Sequence, residues 1–212
     1  MDLLPQPVPP SGGTDAFAGV ANALVTNNRD PDGLGRVKVK LPWLGDDVES
    51  DWARVATPMA GKSRGLYWLP EVDDEVLVAF EHGRPDRMYV LGGLWNGKDK
   101  PPESNQDGKN DLRTLKTRSG QLIRLTDTAG EEKIEIIDKS GKNSIVISTK
   151  DNKVTITGQG DVAVQSSTGK LTLAGQQIEI SSKGAVKVQA GQNMDLQAQA
   201  QLNVKGQMVN IN

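Results

Sequence analysis

The sequence predicts an all-β protein in two parts, a small barrel followed by a needle in which three copies of the chain are intertwined. Three observations carry that expectation. Short alternating or apolar runs, separated by turns that contain Gly or Pro, fill residues 20–96. A two-residue apolar couplet returns nine times between Ile145 and Ile211. No Phe, Trp or Tyr occurs after Trp95.

Residues 1–19 hold Pro5, Pro7, Pro9, Pro10, Gly12 and Gly13. They read as a flexible arm without a core of its own, expected either to be disordered or to lie along a neighbour. From Val20 the signals are β. Val37, Val39 and Leu41 alternate with Lys38 and Lys40, and Trp52 to Thr57 reads as a second strand. A turn at Gly61 to Gly65 leads into a third strand at Leu66 to Leu69. The run EVLVAFE, Glu75 to Glu81, is apolar on both faces, as a strand inside a closed barrel can be, and Met88 to Leu94 follows after the turn at His82 to Pro85. Five short strands in about 75 residues suggest a Greek-key barrel of the OB type over residues 20–96.

Residues 97–112 (GKDKPPESNQDGKNDL) are polar and broken by two prolines, which predicts a linker. Residues 113–140 carry the couplets Ile123/Leu125 and Ile134/Ile136, 11 residues apart. These rungs have longer corners than those that follow, as in a wider neck between barrel and shaft. Arg113, Lys116, Arg118 and Arg124 make the neck basic and are read as solvated sides of its strands.

Residues 141–212 are the needle. The couplets are Ile145/Ile147, Val154/Ile156, Val162/Val164, Leu171/Leu173, Ile178/Ile180, Val186/Val188, Met194/Leu196, Leu202/Val204 and Val209/Ile211, with first members 9, 8, 9, 7, 8, 8, 8 and 7 residues apart. In an extended strand residues i and i+2 face the same way, and the residues between them, mostly polar, face the other. Val146 is the misfit. Gly160, Gly169, Gly175, Gly184, Gly191 and Gly206 precede couplets, where a chain turning a corner would use a permissive backbone. A single-chain solenoid needs roughly 18 residues per turn, so an octad is too short. Two inward side chains per octad cannot surround a core in one chain. Three chains on a common axis can, each octad crossing one face of a triangular prism, with the first eight couplets as the trimer core. The bland alternatives are a disordered tail and a flat antiparallel meander of short strands, which would leave one apolar face uncovered.

Composition narrows the function. A net charge of -2 argues against a general affinity for phosphate backbones, and the absence of Cys removes disulfides and thiolate metal sites. MDLLPQPVPP has neither a basic start nor an apolar run, so the expectation is synthesis in the cytoplasm without a signal peptide. His82 is the single His and lies in a turn, where it cannot assemble a multi-His metal site. The acidic run Asp73, Asp74 and Glu75 heads a barrel strand with no aromatic cleft beside it, unlike a glycosidase pair. No cofactor and no enzyme activity is expected. The rival from another class is single-stranded nucleic-acid binding by an OB barrel with an oligomerising tail, through Trp43, Trp52, Tyr67 and Trp68. Residues 20–98 hold ten Lys/Arg against twelve Asp/Glu, which supplies no electrostatic funnel.

The runs GRVKVKLPW (Gly35 to Trp43), WARVATPMAG (Trp52 to Gly61) and LPEVDDEVLVAFEHGRPDRMYVLGGLWNGK (Leu69 to Lys98), followed by Pro101 and Pro102, resemble the OB domain of the phage baseplate assembly protein V and VgrG spike family. The likeness covers residues 20 to about 102, with Asp73 where Gly is expected and Met88 where Pro is common. It implies the same order of barrel and trimeric β-helical needle, a homotrimer seated on a hub protein, and assembly into a phage tail or contractile injection particle. The target membrane would be contacted mechanically. Some members hold iron at the apex through His-x-His, which the absence of His after residue 82 excludes here. The chain resembles the short form, lacking the hub domain. The resemblance further implies a PAAR-type cap seated on Val209, Asn210, Ile211 and Asn212.

Overall fold

The computed structural model describes residues 19–45 and 48–211. The arm before Gly19, and Asn212 of the expected cap site, lie outside the described residues. The chain divides into two units between Gln159 and Gly160.

The first unit begins with β1 (Val20–Asn27), β2 (Arg36–Lys40), β3 (Ala53–Val55), the small hairpin β4 (Ala60–Gly61) and β5 (Arg64–Gly65), then β6 (Glu75–Phe80) and β7 (Met88–Gly93). Five of these close into a barrel in the order β1-β2-β3-β7-β6. β3 and β7 run parallel, pairing Arg54 with Tyr89 and Val55 with Val90, whereas the other barrel pairs are antiparallel. Strand alternation sends Ala23, Val25, Val37, Val39, Val76, Val78 and Val90 inward, where each is at most 1% exposed. A narrow barrel is filled by β-branched side chains, and Val supplies six of those seven.

Two strand assignments differ from the sequence expectation. β1 is a barrel wall that the sequence concealed, because its inward row of Ala21, Ala23 and Val25 is small and weakly apolar. Leu66 to Leu69 is not a strand. Gly65, at φ +151°, bends the chain there, and Leu66 donates its N–H to the Met59 carbonyl at 3.0 Å before Pro70 ends the stretch.

Five more strands follow: β8 (Leu112–Lys116), β9 (Leu122–Thr126), β10 (Lys133–Ile137), β11 (Ser144–Ser148) and β12 (Lys153–Thr157). They form one antiparallel meander with each strand beside its sequence neighbour. This differs from the expectation that strands beside each couplet come from other chains. For Ile145/Ile147 and Val154/Ile156 the ladder partners lie in the same chain. The connections are long enough to reverse direction, and their chemistry favours it. The Asp138 carboxylate accepts the N–H of Lys142 and of Asn143, the Ser140 hydroxyl and the Asn143 side-chain amide, and Gly141 takes φ +71°. Asn152, at φ +48°, turns the next hairpin.

In the second unit no strand ladder forms among described residues 160–211. No described residue after Asn152 has a positive φ, so the six corner glycines do not draw on the left-handed region that Gly makes accessible. At two of them a side chain would meet a backbone oxygen closely. A Cβ would lie 3.2 Å from the Gln177 carbonyl oxygen at Gly175, and 3.1 Å from that of Met208 at Gly206.

Candidate functional site

The sheet β8–β12 carries its apolar side outward. Register sets Ile134 beside Leu125 and Ile147, with Val154 beyond, and Ile136 beside Ile123 and Ile145, with Ile156 beyond. Two rows of four aliphatic side chains therefore cross four strands, and they are 41–64% exposed in the single chain. Leu115 extends one row onto β8 by pairing with Ile123. A contiguous aliphatic face of this extent is a surface built to be covered.

The reverse side mixes a charged centre with Leu112, Leu122, Ile137 and Val146, and is the better buried of the two. Glu135 is only 6% exposed. Its carboxylate accepts Arg124 Nε at 3.0 Å and Lys133 Nζ at 3.1 Å. Burial pushes this carboxyl up, but the two cations outweigh it and hold it below the ordinary glutamate range. Glu103, from the segment between barrel and sheet, accepts the Thr114 hydroxyl at 2.9 Å and lies 3.7 Å from Arg124. Val146 sits on this reverse side opposite Glu135 and Thr155, which accounts for its breaking the apolar-polar alternation. Sequence reasoning missed this network because a Lys-x-Glu strand reads as a solvated face.

The later couplets are exposed with a regular asymmetry. First members Val162, Leu171, Ile178, Val186, Met194, Leu202 and Val209 are 44–58% exposed. Second members Val164, Leu173, Ile180, Val188, Leu196, Val204 and Ile211 are 66–91% exposed. The chain alone thus buries neither member of any couplet.

The residues weighed for chemistry are engaged in local structure. Asp73 takes φ +73°, the conformation for which Gly is expected there, and its N–H donates to the Val25 carbonyl at 2.9 Å. Asp74 accepts the Glu71 N–H at 2.7 Å, and Glu75 accepts the side-chain amides of Asn22 and Asn96. His82 lies in the 3-10 turn Glu81–Gly83 at φ +52°. Trp52 is flanked by Arg36 and Lys38, 5.8 and 5.5 Å from its ring, so its own chain already supplies cation–π partners. In the neck, Arg113 pairs with Asp127, Arg118 with Glu71, and Arg124 with Glu103 and Glu135. The basic stripe is largely neutralised. The Arg118–Glu71 pair also ties the first turn of the sheet to the barrel loop before β6.

Residues 21–95 match the OB domain of type VI secretion system and phage-baseplate injectors. The barrel is an injector OB domain of the kind found in type VI secretion systems and phage baseplates. The chain is 36% identical over 112 residues to the type VI secretion system spike protein VgrG3 of Vibrio cholerae, a match covering 49% of this chain and 11% of that protein. It is 30% identical over 129 residues to spike protein VgrG1a of Pseudomonas aeruginosa, covering 54% and 20%. VgrG5 of the same organism is 36% identical over 124 residues, covering 55% and 14%. The chain therefore spans about a tenth to a fifth of the VgrG proteins it matches.

Proposed function

We propose that this chain is a structural spike, a homotrimer whose needle pierces a target envelope when a contractile tail or contractile injection system drives it forward. The observation that carries the reading is the outward aliphatic face of β8–β12. Three such faces turned toward one axis would cover one another, and at roughly 1 kcal/mol for each half-exposed aliphatic group removed from water the eight residues contribute on the order of 8 kcal/mol per chain. The octad unit extends the same logic. Its couplets lack ladders within the chain, and extended backbone without partners is satisfied when strands of two other chains lie above and below each octad. The resulting triple-stranded β-helix would have Val162 to Val204 as its core, continuing the axis on which Ile145, Ile147, Val154 and Ile156 of the sheet are covered. Catalysis is not part of this role: Asp73, Asp74 and His82 serve turns, and Glu75 opens β6 and accepts the Asn22 and Asn96 amides.

The same reading puts a hub protein at the barrel end and a PAAR-type tip partner on Val209 to Asn212. Nucleic acid is not a partner. The rival reading, single-stranded nucleic-acid binding, is disfavoured by Arg36 and Lys38 already lying over the Trp52 ring and by the neutralised neck. Light scattering tests the proposal. A mass of three times 22.8 kDa that persists in detergent until heated is the expected result, and a monomer at micromolar concentration would overturn it.

A further inference from the structure

On the barrel, the β4–β5 hairpin and the loop before β2 enclose a groove of about 570 Å³ that includes Leu34, Met59, Arg64, Leu66, Tyr67 and Trp68. Leu34, Met59, Leu66, Tyr67 and Trp68 are 45–79% exposed, with Tyr67 the most exposed, while Val55 and Leu69 form a floor packed against the barrel core. The groove is preformed. A Cβ on Gly65 would lie 2.5 Å from the Met59 carbonyl oxygen, so only Gly closes the hairpin, and the Thr57 hydroxyl donates to the Leu66 carbonyl at 2.7 Å. Across from it, the Asp30 carboxylate accepts the N–H of Asp32, Leu34 and Arg36 together with the Arg36 guanidinium. Tyr67 lies 3.6 Å from where a Cβ on Gly35 would stand, so the ring covers a glycine.

We propose that this groove binds a proline-rich segment in the polyproline II conformation, and that its occupant is the chain's own amino-terminal arm, Pro5 to Pro10. The inference goes beyond the spike reading and does not need it. Rigid aromatic walls with aliphatic neighbours suit prolyl rings, which enter such a groove with little conformational entropy left to lose. The sequence LLPQPVPP, Leu3 to Pro10, supplies them. The reach is sufficient within one chain. β1 carries the backbone about 26 Å from Val20 to its far end, where the loop forming the groove begins. Pro10 precedes Gly19 by nine residues and Pro5 by fourteen, which at about 3.1 Å per residue span about 28 and 43 Å. Charge agrees, since Asp2 and Asp15 flank the prolines and Lys62 and Arg64 lie on the hairpin.

The test uses the full chain with a benzophenone amino acid at Leu34, irradiated and mapped by mass spectrometry. The expected cross-link falls within Leu3 to Pro10. Its yield drops at least about tenfold in Trp68→Ala, in Tyr67→Ala, and when Pro7, Pro9 and Pro10 are changed together to Ser. Each of these positions is exposed or outside the barrel, so an unchanged thermal midpoint serves as the folding control. Cross-links to another part of the chain, cross-links only to a second protein, or a yield indifferent to these changes would overturn the proposal.

Discussion

The sheet of residues 112–157 and the octad unit of residues 160–211 use the same sequence device and reach different hydrogen-bonding solutions. Both carry aliphatic pairs at i and i+2 that one chain leaves exposed. In the sheet, couplets recur at 11, 11 and 9 residues. Five-residue strands then leave four to six residues for a reversal, and Gly120, Gly130, Gly141 and Asn152 supply positive φ in those turns. In the octads a couplet returns about every eight residues, the left-handed backbone is absent among the described residues, and no ladder forms within the chain. The couplet decides what must be covered, whereas self-pairing goes with corners of positive φ, since a spacing of nine occurs both in the sheet, Ile145 to Val154, and in the octads, Val162 to Leu171. The corners separate a self-paired sheet from a segment whose described residues form no ladder within the chain.

The largest test sets an acid into each region. Ile136→Asp and Ile178→Asp each place three carboxylates in one closed interior if three chains associate, at a cost of more than about 5 kcal/mol per trimer. Both should dissociate to smaller species in sedimentation. Circular dichroism should show strand content retained for Ile136→Asp, whose ladders lie within the chain, and reduced for Ile178→Asp. Equal loss in both would erase the distinction drawn between the regions.

Smaller changes address one region at a time. Glu135→Ala removes the partner of two cations on the reverse side of the sheet and should cost roughly 1–2 kcal/mol in denaturant unfolding of the first unit, leaving the octads unaffected. Gly141→Ala forces Ala to φ +71° and should cost about 1 kcal/mol, whereas Gly184→Ala, with neither positive φ nor a neighbour within 4 Å, should change stability by less than about 0.5 kcal/mol. The smallest effect is one of pH. The Ser140 hydroxyl and the Asn143 amide hold Asp138 at about 2, below the ordinary 3.8. A depressed carboxyl contributes stability above its unfolded value, and that contribution is lost as pH falls through its folded one. Asp138→Asn should therefore remove a small part of the acid dependence between about pH 4 and 2, visible in Tm against pH.

Much of the barrel was legible because Val37, Val39, Val76, Val78 and Val90 alternate or cluster with clear turns between them. β1 was not, since a row of alanines carries little apolar signal. Leu66 to Leu69 misled for the opposite reason. Its apolar residues are the rim of an exposed groove, and apolarity alone does not separate a rim from a wall. In the neck, alternation identified which side chains share a face but not which face would be the wetter. The covered reverse side depends on Glu103 reaching back from the segment before β8, a contact that strand periodicity cannot express.

Sequence alone determined the repeated couplets, the absence of rings from the second half, the turn chemistry and the OB type of the barrel. These follow from local periodicity and residue type, each readable within a short window. Only the tertiary structure decided that β8 to β12 pair within one chain, that Glu135 is buried while Ile134 and Ile136 are not, and that Tyr67 and Trp68 stand exposed in a preformed groove. Those outcomes depend on which distant segments meet, and that is set by chain reversal and close packing rather than by any single stretch of residues.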